Sequence, residues 1–167
     1  MECSCILQRI VSGGQAGADR AALDWAIAAG IPHGGWVPLG RKAEDGRIPD
    51  CYQMQELPNV DYRQRTRRNV LDSDGTLIVN LGQLDGGSLL THRFSGVHGK
   101  PCLVIQADEK MLESVVNIIS WMSTNRISTL NVAGPRESKR PGIYRATTNL
   151  LHAVQIELGF SLVGRCI

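Results

Sequence analysis

A three-layer α/β/α domain around a mainly parallel sheet is what this sequence predicts, and three observations carry the prediction. Strand-like and helix-like patterns alternate along the 167 residues, which makes successive βα units. The runs TLIVNL (76–81) and CLVIQ (102–106) are almost continuously apolar, as strands covered by helices on both faces must be. Three strand candidates run into glycine-containing loops that lead to helices, an arrangement that places ligands beyond the C-terminal ends of parallel strands. The expectation is one Rossmann-like ligand-binding domain over residues 1–167. A chain this long buries roughly 70% of its unfolded surface and needs no disulfide or metal to hold it.

Each element has its own signal. CILQRIVS (5–12) is a β-rich run ending at glycines. DRAALDWAIAAG (19–30) is a helix with Leu23, Ile27, Ala22 and Ala26 on one face, Arg20 one turn before Asp24, and Gly30 as its stop. Residues 31–50 are rich in Gly and Pro; they hold one short strand near 33–37 and otherwise loop. DYRQRTRRNVLDS (61–73) reads as a polar helix, GTLIVNLG (75–82) as a buried strand, and GSLLTHRFSGVHG (87–99) as a helix ended by Gly99. KPCLVIQA (100–107) is a strand and KMLESVVNIISWMSTN (110–125) an amphipathic helix. ISTLNVAGPRES (127–138) is a strand running into a glycine loop. The last helix lies in PGIYRATTNLLHAVQIELG (141–159), with Pro141 and Gly142 before it and Gly159 after.

Bulk composition narrows the function classes. Hydrophobic content of 43% with 20% charged residues is ordinary for a globular chain. A net charge of +2 from nearly balanced signs argues against a nucleic-acid or membrane-surface partner. No apolar run approaches the ~20 residues of a membrane span. The five cysteines are scattered: Cys3 and Cys5 form a lone C-x-C, Cys102 sits in an apolar run that predicts a core position, and Cys51 and Cys166 stand apart. The N-terminal stretch enters the first strand candidate without the basic region and long apolar run of a signal peptide. The expectation is a cytoplasmic protein with reduced thiols and no metal site.

The glycine loops are the candidate site: SGGQAGAD (12–19), GQLDGGS (82–88) and VAGPRES (132–138). A helix start offers free backbone N–H groups and partial positive charge, so it attracts anions. GGQAG matches neither the dinucleotide nor the P-loop pattern, and any one such loop is equally well a tight βα turn. Together they point to a site lined by backbone amides for a phosphate-bearing small molecule. Asp19 is either a helix N-cap or an acceptor for ribose hydroxyls or a ring N–H. Gln15 offers an amide, Ser88 and Thr91 offer hydroxyls, and Arg136 can fork onto a phosphate. Residues 40–49 (GRKAEDGRIP) form either a solvated loop or a lid over the site. The basic cluster RQRTRR (63–68) lacks aromatic interleaving beyond Tyr62; it is either a solvated face or, with Asn69, turned toward the ligand edge. His33, His92, His98 and His152 are too dispersed to form a ligand set, and no G-x-S-x-G or H-E-x-x-H motif is present. No catalytic residue is assigned.

Four stretches carry a family resemblance: residues 10–49 (IVSGGQAGADRAALDWAIAAGIPHGGWVPLGRKAEDGRIP), YRQRTRRNVLDSDGTLIV, GGSLLT, and LNVAGPRES with PGIY. The chain resembles, over residues 10–158, the molybdenum-cofactor carrier proteins, also described as circularly permuted YpsA-like members of the SLOG superfamily. The resemblance implies a Rossmann-like fold related to the Lonely Guy-type phosphoribohydrolases and DprA-like domains. It also implies a ligand derived from a nucleotide or from the molybdenum cofactor (molybdopterin), a pterin bearing a phosphate. Carried over by motif position, the ligand contacts are Gly13, Gly14, Gln15, Gly17, Asp19, Gly86, Gly87, Ser88 and Gly134, with Arg65, Thr66 and Asn69 from the R-T-x-x-N pattern. Position 16, commonly Thr in the family, is Ala16, and Ser88 stands for a common Thr.

A carrier or sensor that binds a phosphorylated pterin or nucleotide is therefore the leading expectation. The alternative is a nucleotide-processing enzyme, phosphoribohydrolase- or nucleotidase-like, with Asp19, Glu44 or Asp45 as base. The phosphoribohydrolases carry P-G-G-x-G-T-x-x-E with a catalytic glutamate. DGGSLLTHR (85–93) lacks the last glycine and that glutamate, which favours the carrier. A homo-oligomer is expected, on Trp36, Trp121 and Met122 in segments that reach the surface.

Overall fold

The computed structural model describes residues 7–159. In chain order the elements are β1 (Arg9–Val11), α1 (Ala18–Ala28), β2 (His33–Gly34), β3 (Trp36–Val37), β4 (Lys42–Ala43), β5 (Gly46–Arg47), β6 (Gln55–Glu56), α2 (Tyr62–Leu71), β7 (Gly75–Asn80), α3 (Gly86–Val97), β8 (Cys102–Gln106), α4 (Met111–Thr124), β9 (Thr129–Ala133) and α5 (Ile143–Glu157). Five strands form one sheet in the order β2-β1-β9-β7-β8, and every pairing in it is parallel. α1, α5 and α4 pack side by side, and α2 packs on α3. The architecture is the expected three-layer α/β/α Rossmann-like fold.

The core follows from the apolar pattern. β7 is buried along its whole length, because it lies between β9 and β8 with helices above and below. Trp25, Ile118, Met122, Ile143 and Leu151 fill the space between the sheet and the α1–α5–α4 layer. A second, smaller cluster (Leu23, Val37, Ile48, Tyr52) sits under the segment between β2 and α2.

Several sequence expectations are corrected here. The single strand near 33–37 is two strands in different sheets, because Gly35 turns the chain at φ 139° and packs where a Cβ would meet the backbone of Ser12. Residues 40–49 are not all loop: β4 and β5 form an antiparallel hairpin. Ile27 is 45% exposed, off the buried stripe of α1. Arg20 pairs with Asp45 instead of Asp24, while Asp24 accepts from the hydroxyls of Tyr52 (2.5 Å) and Tyr144 (2.6 Å). Met122 is 1% exposed and belongs to the core, and Trp121 packs against that core; the helix hydrophobic stripe claims both. Cys102 is half-buried because β8 is an edge strand. Cys3, Cys5 and Cys166 lie outside the described residues.

Asp74, just before β7, ties two strands together at their starts. Its Oδ2 accepts from Ser128 N (3.0 Å), Ser128 Oγ (3.0 Å) and Thr129 N (2.8 Å). Burial pushes its carboxyl up, but these bonds and the Lys100 ammonium outweigh burial and hold it below the usual 3.8. A depressed folded pKa means the contribution is present above pH 3.8 and disappears as pH falls through the folded value. Asp74→Ala is expected to lower stability by about 1 kcal/mol at neutral pH. Urea titrations should show that gap closing in acid.

Candidate ligand-binding site

A cavity of about 530 Å³ opens beyond the C-terminal ends of β1 and β9 and beside the start of α3. α2 contributes Tyr62, Arg65, Thr66 and Asn69, the i, i+3, i+4, i+7 stripe of one helix face. α3 contributes Gly86, Gly87, Ser88, Leu90 and Thr91 from its first turns. Gly13 and Gln15 come from the loop after β1, Asp19 from the first turn of α1, and Asn131, Ala133 and residues 134–136 with Ser138 and Lys139 from β9 and its loop.

Asp19 is the clasp of this arrangement. The N-cap of α1 is Gly17, and no side chain caps it. The Asp19 carboxylate is buried and accepts from Gln15 N at 3.3 Å, with Arg65 Nη1 at 3.5 Å. Burial pushes this carboxyl above its ordinary 3.8; the Arg65 guanidinium, the Gln15 and Gly134 N–H groups and Arg20 act against that. Arg65 reaches past Gly13, donating from Nη1 to the Gly13 carbonyl at 3.1 Å. A Cβ at Gly13 would collide with that guanidinium, so glycine there lets the arginine in. Arg65 Nε is buried with no hydrogen-bond partner among the described residues.

The three helix starts differ. At α1, Pro135 O accepts from Ala18 N (3.4 Å), and a Cβ on Gly17, which has φ +101°, would lie 2.5 Å from Pro135 O. At α5, Glu137 accepts from Gly142 N (2.6 Å) and Tyr144 N (2.9 Å). At α3, the N-cap is Asp85, a residue type made for capping, yet its side chain caps nothing. It is drawn to Lys139 Nζ (3.2 Å) and Arg140 Nη2 (3.4 Å), and those cations hold its carboxyl below the usual range. Gly86 and Gly87 are exposed, and beyond its chain neighbours and its own helix backbone a Gly87 Cβ would meet no described atom within 4 Å. The first residues of α3 thus line the cavity, and among the described residues no side chain accepts from their N–H groups.

The basic helix is organised around aromatic rings. Arg63 lies over Phe94, Arg65 over Tyr62 and Arg68 over Trp36, at 5.9, 5.8 and 5.1 Å from the ring centroids, distances at which cation–π attraction acts. Arg67 Nε donates to His98 Nε2. Arg136, by contrast, is exposed and has no acidic partner among the described residues.

The circularly permutated YpsA SLOG family model matches residues 10–155. The chain belongs to this family. The crystal structure of a "Putative molybdenum carrier protein" from Syntrophus aciditrophicus SB is 53% identical, with a TM-score of 0.88 over 90% of this chain and 96% of that one. No curated protein matches.

In this SLOG protein, most of the sequence-predicted residues line one cavity: Gly13, Gln15, Asp19, Arg65, Thr66, Asn69, Gly86, Gly87, Ser88, Gly134 and Arg136. Gly14 and Gly17 are not on its lining; Gly14, at φ +72°, backs onto Ile48 and Val37. Several expected side chains are already engaged. Asn69 accepts from Trp36 N and donates to Trp36 O, Thr66 Oγ1 donates to Tyr62 O, and Gln15 Oε1 accepts from Glu44 N. The β4–β5 hairpin is docked: Arg20 Nη1 and Nη2 donate to the two oxygens of Asp45, and Glu44 accepts from Ser138 N (3.2 Å) and Oγ (2.5 Å). Tyr62, Leu90, Asn131 and Lys139 line the cavity without having been singled out from sequence. The spacing of Tyr62 from Arg65, Thr66 and Asn69 is the signal that would have found the first.

Proposed function

We infer that the protein holds, in this cavity, a small molecule joining a dianionic phosphate monoester to a flat heterocycle, and carries it without converting it. The observation that carries the reading is the open N-terminus of α3, whose own aspartate is held away from it by Lys139 and Arg140. Backbone N–H groups and helix polarity there favour an anion, and Ser88 adds a hydroxyl in the same turn. The charges support two negative charges on the ligand. Asp19 offsets Arg65, and Asp85 offsets one of Lys139 and Arg140; the other and Arg136 are left. A phosphorylated pterin such as the organic part of the molybdenum cofactor meets these requirements, as does a nucleoside monophosphate. Among the described residues no group of His, Cys, Asp and Glu is set to hold a metal ion, so the reading rests on the phosphate and the ring.

The carboxylates weighed as bases support carrying over hydrolysis. Asp19 is engaged with Gln15, Gly134 and Arg65. Glu44 and Asp45 bind Ser138 and Arg20 and do not line the cavity. Native mass spectrometry of the purified protein is expected to show a retained phosphorylated heterocycle. Incubation with nucleoside monophosphates is expected to release no free base; chromatographic detection of base at a catalytic rate would overturn the carrier reading. Affinity for a monoester is expected to fall as pH drops through the second phosphate pKa of about 6, measured by calorimetric titration.

A further inference from the structure

We propose that Tyr62 is the platform on which the heterocycle stacks, so that this one side chain makes the site selective for ring-bearing phosphates; the proposal rests on the anion-cavity reading above. Tyr62 is the first residue of α2, and Asp61 caps that helix by accepting from Arg63 N and Gln64 N. The cap fixes where the tyrosine emerges. Tyr62 lines the cavity while 40% of the residue stays exposed to solvent. Arg65, one turn on, places its guanidinium 5.8 Å from the ring centroid, which restrains the ring without covering it in apolar side chains. Leu90, half-buried on α3, is the other large apolar side chain on the lining. The remaining lining is small or polar: glycines, Ser88, Thr91, Asn131 and charged groups.

Core packing does not account for an exposed aromatic at the wall of an otherwise polar cavity. Tyr62 does not belong to either apolar cluster. Stacking of a flat heterocycle on an aromatic side chain changes affinity by roughly tenfold or more, enough to separate a nucleotide from a sugar phosphate with the same anion. The phosphate end is supplied by α3 and the ring end by α2, so the two packed helices together measure the ligand.

The probes are guanosine 5′-monophosphate, a synthetic pterin phosphate, and ribose 5-phosphate, which keeps the anion and lacks the ring. They are titrated calorimetrically into wild type, Tyr62→Ala and Tyr62→Phe. Expected is a loss of tenfold or more for the two ring-bearing probes in Tyr62→Ala, unchanged affinity for ribose 5-phosphate, and wild-type behaviour in Tyr62→Phe. Thermal melts confirm that the exposed substitution leaves the fold intact. Equal affinity of Tyr62→Ala and wild type for the ring-bearing probes, or an equal loss for all three, overturns the platform alone. Wild type binding none of the three overturns the anion-cavity reading, and the platform with it.

Discussion

Gly134→Val is expected to lower the melting temperature by about 10 °C. A Cβ at this position would sit on the Val79 carbonyl oxygen and 2.5 Å from Ala18 Cβ. Neither neighbour can yield cheaply. Val79 is in β7, paired on both sides within the sheet, and Ala18 is the first residue of α1, itself fully buried. Overpacking of this kind costs about 3 kcal/mol, and for a chain of this size each kcal/mol shifts the midpoint by roughly 2–4 °C. Differential scanning calorimetry measures it. A shift under 2 °C would mean that the helix and the β9 loop are not locked at this glycine.

Gly87→Val is expected to do the reverse: leave the fold and remove the ligand. Beyond its own helix backbone and chain neighbours no described atom lies within 4 Å of its added Cβ, and its φ is not positive. The side chain would project from the first turn of α3, where the N–H groups face the cavity. Affinity for a phosphate monoester should fall tenfold or more, about 1.4 kcal/mol. The midpoint should move by no more than a few degrees. Wild-type affinity in this variant, by calorimetric titration with guanosine 5′-monophosphate, would mean that the start of α3 is a turn and nothing more. Gly14→Val discriminates less well, because φ +72° and Ile48 behind it turn any effect into one on packing.

Much of the fold was legible because its signals are local. Apolar runs bounded by glycine mark parallel strands, and α1, α3, α4 and α5 fall within a few residues of where pattern and stops put them. The gathering of the glycine loops followed from topology, since the C-terminal ends of parallel strands share one edge. The segment between β2 and α2 was the least legible. Its two-residue strands are shorter than any period can show, and its hairpin is held by partners far along the chain, Arg20 and Ser138. Asp19 reads as a cap from sequence because an aspartate opening a helical pattern so often is one, whereas the helix in fact begins at Ala18 with Gly17 as its N-cap. The burial of Asp19 against Arg65 depends on α2 lying across the β1 loop.

The sequence by itself determined that β and α units alternate, that the strands are buried on both faces, and that three glycine loops meet on one edge. Those properties reside in residue type and spacing, which tertiary contacts do not alter. Only the tertiary structure decided which of the three helix starts is left without a partner on its N–H groups among the described residues. The choice depends on who already occupies the N–H groups: Pro135 closes α1, Glu137 closes α5, and Lys139 with Arg140 draws Asp85 off α3. Each of these partners reaches its target by folding, so spacing alone treats the three glycine corners as equals, while the hydrogen-bond inventory of the folded chain leaves the α3 start without side-chain caps.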